Sequence, residues 1–96
     1  MSQEWHDELK SRGAFAAGLA QEIPTLLKDR TISAAQVAVL LDSLIRNIEH
    51  FDEFVEQMKA CDVDQSLLNA AESIQRLYAS IIEGVTNRLT FLQKRL

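Results

Sequence analysis

The chain has one cysteine, one proline and three glycines in 96 residues. A lone cysteine excludes an internal disulfide, so the fold must hold by packing alone. Few prolines and glycines leave little material for tight turns and hairpins, which favours a few long helices. Long apolar runs are missing as well. The stretch Gly13-Ala14-Phe15-Ala16-Ala17-Gly18-Leu19-Ala20 is only eight residues long, far below the roughly 20 that span a bilayer. Before it stand Glu4, Trp5, His6, Asp7 and Glu8, an acidic flank where a secretory signal carries basic residues. The expected location is cytoplasmic, with no membrane segment.

Apolar residues make up 47% of the chain and charged residues 25%, the balance of an ordinary globular domain. We expect one helical domain over 1–96. The second third is the most legible. Val37, Leu41, Leu44, Ile48, Phe51, Val55 and Met58 recur at alternating spacings of four and three, a heptad seam of coiled-coil type. Leu40, Ile45 and Phe54 widen it into a broad apolar face. Ser33 is placed to cap this helix, with Gln36 at the reciprocal capping-box position and Ile32 able to staple onto Val37. The spacing predicts a helix over about 33–60.

A third segment repeats the pattern through Leu67, Ala71, Ile74, Tyr78, Ile81 and Val85, then drifts to Leu89, Leu92 and Leu96. Asp64 is its expected cap, Val63 its staple onto Leu68, and Lys94 and Arg95 suit the negative end of the helix dipole. The predicted helix covers about 64–95. The first segment, about 3–29, is weaker. Trp5, Leu9, Ala16, Leu19, Ile23 and Leu26 form a seam only if Arg12 takes one of its positions. Pro24 should kink or break it. Gly13 and Gly18 give it a thin surface on which a neighbour can approach closely, with Phe15 and Leu19 filling the space left over.

Connections of a few residues join antiparallel neighbours. The predicted architecture is therefore an all-α, antiparallel up-down-up three-helix bundle. A thin first helix should leave part of the apolar face of the other two uncovered, and such surface calls for a partner or a second copy.

Motifs for chemistry do not assemble. Asn47 stands three residues before His50, where a di-metal bundle would place Glu, so His50 and His6 are expected to be solvated. The serines lack a glycine elbow, and no glycine loop could cradle a phosphate. Cys61 is flanked by Asp62 and Asp64, with no adjacent base or cation to activate it. We expect no enzyme activity, no metal and no cofactor. The stretch 31–51 resembles the opening of a helix-turn-helix, but Asp42 and Ser43 replace the turn's breaker and the heptad runs straight through. A recognition helix holding Glu49, Asp52 and Glu53 would be repelled by phosphates, so no nucleic acid is expected as partner.

Charge is the asymmetric signal. Residues 49–64 contain six carboxylates and one lysine, and residues 65–96 contain four cations and two carboxylates. The expected function is a small protein–protein interaction module, whether adaptor, chaperone or inhibitor. It would use an apolar face of the second and third helices with an acidic edge, and take another protein, basic or helical, as partner. The expected contact residues are Leu40, Glu53, Phe54, Glu56 and Met58. Two alternatives stand beside it: a homodimeric or larger assembly protein using the same face, and an acidic mimic of nucleic acid.

Overall fold

The computed structural model describes residues 2–94, which form α1 (Ser2–Leu27), α2 (Ala34–Ala60) and α3 (Gln65–Lys94). Arg95, read above as the end of the third helix, and Leu96, the last residue of its seam, lie outside the described residues. The helices run up, down and up as an all-α bundle, with no strand among the described residues.

Local chemistry sets the boundaries. Ser33 sits in extended backbone before α2; its hydroxyl accepts from the Gln36 N–H at 3.1 Å, while its own N–H donates to Gln36 Oε1 at 2.8 Å. The capping box is complete, and Ile32 packs into the same cluster as Val37. α2 ends where the Cys61 N–H donates to the carbonyls of Gln57 and Met58, and Asp62 then takes a positive φ of 53°. This left-handed residue turns the chain into α3, whose first N–H groups, from Leu67 and Leu68, donate to the Asp64 carbonyl. α2 is unbroken from Ala34 to Ala60, so a helix-turn-helix has no place in it.

α1 runs through Pro24 and closes at Leu27, so the proline does not break it. Pro24 lies in the last turn: it forfeits its own bond to the Ala20 carbonyl, but the helix need continue only three residues beyond it. Beyond it the bonds tighten to Lys28 N–H onto Thr25 O and Asp29 N–H onto Leu26 O. The connection to α2 is held by the Asp29 carboxylate, which accepts from the Thr31 N–H and hydroxyl at 2.9 and 2.7 Å.

α3 is the shared wall: α1 and α2 each pack along it and barely along one another. Leu9, Ala16 and Ile23 of α1 are buried at intervals of seven. The heptad slot between the first two belongs to Arg12, as the seam required. The core falls into two clusters. One, around Phe51, Phe54, Met58, Leu67 and Tyr78, lies toward the α2–α3 turn; the other, around Ile23, Val37, Leu44, Ile81 and Val85, lies toward the α1–α2 connection. Leu19 and Leu77 pack against both. Fully buried Phe51, Leu44 and Met58 each contribute about 1.5–3 kcal/mol of transfer free energy. The result is a rod of 52 × 20 × 16 Å.

Candidate functional site

Because α1 leans on α3, it meets α2 only through long side chains, and a furrow lies between them. At the end near the α2–α3 turn, Trp5 and Phe54 meet with ring centroids 5.5 Å apart. The Arg12 guanidinium stands 4.4 Å from the Phe54 centroid and is tied to Glu8 at 2.9 Å. Outside this contact is a shallow notch lined by Glu4, Trp5, Glu8 and Phe54. Midway, a recess of about 280 Å³ opens between Arg12 and Phe15 of α1 and Asn47 and His50 of α2, with Tyr78 of α3 beneath.

The walls follow from helical spacing. Leu40, Asn47 and Phe54 are heptad-spaced on α2, so one stripe faces α1. Phe15 and Leu26 are eleven residues apart, close to three turns, and share the furrow side of α1. Phe15 is 55% exposed and Leu26 46%. Phe15 does not fill core space, and Leu26 stands off the seam. The reason is the lean of α1: with Ala16 and Ile23 turned to α3, both residues are rotated out toward the furrow.

The residues expected to bind a partner divide. Leu40 is half-buried on the furrow wall. Glu53 and Glu56 are exposed on the outside of α2, Glu56 within 3.4 Å of Lys59. Phe54 and Met58 are core, at 6% and 0% exposure, and so do not form the exposed partner face expected of them. Met58 lies in the seam that α3 covers, and Trp5 and Arg12 roof Phe54. Sequence reasoning placed the surplus apolar surface on α2 and α3 and missed Phe15 and Leu26. The signal available was that a seam through Leu9, Ala16 and Ile23 already excludes both.

His50 Nδ1 lies 4.0 Å from Glu53 Oε2, and no group of three or more metal-ligating side chains gathers among the described residues. Cys61 is exposed at the end of α2. Burial raises the Tyr78 phenol above its ordinary range, against the opposing charge of Arg12. Asp29 is held below the usual carboxylate range by the Thr31 N–H and then by its hydroxyl.

A second furrow, between α1 and α3, has a wider recess of about 490 Å³ where Lys10 and Gly13 face Ser66, Ala70 and Ser73. Its lining joins the small side chains at Gly13, Ser66, Ala70 and Ser73 to the larger ones of His6, Leu9, Leu67 and Ile74. Among the described residues no helix is long and apolar enough to cross a membrane. Comparison with protein-family models, curated proteins and solved structures gave no match to this chain.

Proposed function

We propose that the chain is a cytoplasmic helical interaction module, of adaptor, chaperone or inhibitor type, that takes a helix of another chain into the furrow between α1 and α2. One observation carries the reading: Phe15 and Leu26 are exposed on the furrow side of α1, beside half-buried Leu19 and Leu40. Soluble surfaces scatter such residues singly, whereas a stripe along two adjacent helices is what a third apolar helix face covers. Glu4, Glu8 and Glu22 flank the furrow on the α1 side, so the helix that suits it is amphipathic and basic.

Trp5, the only tryptophan, stands at the furrow's end and reports on it. A synthetic amphipathic Leu/Lys helix should shift Trp5 emission to the blue and move backbone amide resonances around Phe15, Leu26 and Leu40. The Phe15→Glu substitution should abolish both responses without loss of helicity. Resonance changes centred on Gly13 and Ser73 would place docking in the other furrow and end this reading.

A further inference from the structure

Taking the α1–α2 furrow as the interaction surface, we infer that its occupant is a second copy of this chain, laid antiparallel. The inference rests on the reading above and adds the identity of the partner.

Charge along the rod is the first observation. The half holding the α2–α3 turn (4–13 and 49–77) contains ten acidic and four basic side chains; the half holding the α1–α2 connection (14–48 and 78–94) contains four and five. Two rods side by side and antiparallel set acidic half against basic half at both ends. A parallel pair would oppose like charges along the whole acidic half.

The apolar groups give the second. Phe15 stands at the middle of α1, so a two-fold axis within a turn of it lays the ring against its own counterpart. Leu26 lies eleven residues beyond Phe15, and Glu4 eleven before it, each about 16 Å along the helix. The antiparallel copy therefore brings its Leu26 over the notch of Trp5 and Phe54. With the axis about half a turn beyond Phe15, its Lys28 and Arg30, exposed on the connection, come over the turn that holds Glu4 and Glu8, and its Glu22 comes over Arg12. One geometry satisfies both the apolar and the charged groups. The contact is isologous and closes on itself, giving a dimer and not a filament.

Area is the third. A rod 52 Å long and 16–20 Å across has a side of roughly 800–1,000 Å², the scale of the roughly 800 Å² per partner of a standard stable interface.

Cys61 provides a test without engineering, since it is the only cysteine, is exposed, and sits at the acidic end of the rod. Sedimentation of the full chain should show a dimer that dissociates on dilution and weakens as salt rises. Nitroxides on Cys61 should be separated by a distance approaching the 52 Å rod length. Phe15→Glu should raise the dissociation constant at least tenfold while helicity is kept. The pair Glu4→Lys and Glu8→Lys, and separately the pair Lys28→Glu and Arg30→Glu, should each prevent self-association, and mixing the two variants should restore it. A dimer with nitroxides well under half the rod length apart, or one indifferent to Phe15→Glu, overturns the inference. So does a chain that stays monomeric at every concentration. If that monomer still binds the Leu/Lys helix in the furrow, only the second copy is lost; if it does not, the interaction module falls with it.

Discussion

The Arg12 guanidinium lies over the face of the Phe54 ring, 4.4 Å from its centroid, and with Trp5 it is what ties α1 to α2. An arginine in a heptad slot covers apolar surface with its stem and leaves its charge at the edge. Phe54 also packs on Phe51, centroids 6.0 Å apart, and Phe51 on Tyr78 at the same distance, so the cluster spans all three helices. Phe54→Ala should cost about 3–5 kcal/mol, and Phe54→Asp should unfold the domain. Arg12→Ala should cost about 1 kcal/mol, and its effect should shrink in the Phe54→Ala background. Urea denaturation followed by circular dichroism measures all four. An undiminished melting transition for Phe54→Asp would show the ring to be surface after all.

How far this arrangement was legible depends on the helix. In α2 and α3 the heptads, and Ser33 with Gln36, agreed with their neighbours and the elements followed; at Asp64 the main-chain carbonyl accepts from the first turn. α1 was ambiguous because Arg12 interrupts its seam and alanine contributes little to any pattern. Periodicity says which residues share a face; it does not say which of two neighbouring helices that face meets. That choice turned Phe15 and Leu26 outward and Phe54 inward. It is set by close approach at Ala16 and Gly13, which no single-helix pattern contains.

The glycines divide by what surrounds them. A Cβ added at Gly18 or Gly84 meets nothing within 4 Å, whereas one at Gly13 would stand 3.1 Å from Ile74 Cδ1. Gly18→Ala and Gly84→Ala should each stabilise by about 1 kcal/mol, the difference in helix propensity. At Gly13 the same gain is offset by crowding, and the net change should be near zero. Ile74→Val, which removes the crowded methyl, should cost less in the Gly13→Ala background than in the native chain. Equal stabilisation at all three glycines in thermal melts would mean that α1 and α3 are not in close contact at Gly13.

Asp62 is the only non-glycine residue with positive φ among those described. Aspartate tolerates the left-handed region better than most, and glycine occupies it without a Cβ penalty. Asp62→Gly should therefore raise stability by about 0.5–1 kcal/mol, and Asp62→Val should lower it by more. The measurement is the midpoint of chemical denaturation. If glycine lowers it, the turn between α2 and α3 does not use a left-handed residue.

Tyr78 sets how the domain behaves at alkaline pH. It is the only tyrosine, and burial raises its pKa above the ordinary value while Arg12 opposes the rise. The folded state thus favours the neutral phenol, whereas the unfolded chain ionises near pH 10. Its contribution to stability is complete below that pH and is lost as pH rises through the folded value. Tyr78→Phe should flatten this part of the stability profile and leave the profile near neutrality almost unchanged. Phenolate absorbance of the native chain gives the folded titration directly, because no other tyrosine contributes. Arg12→Ala removes the one opposing charge, so in that variant the titration should move still higher. A titration that moved lower, or not at all, would mean that the guanidinium over Phe54 does not act on the phenol beneath the furrow.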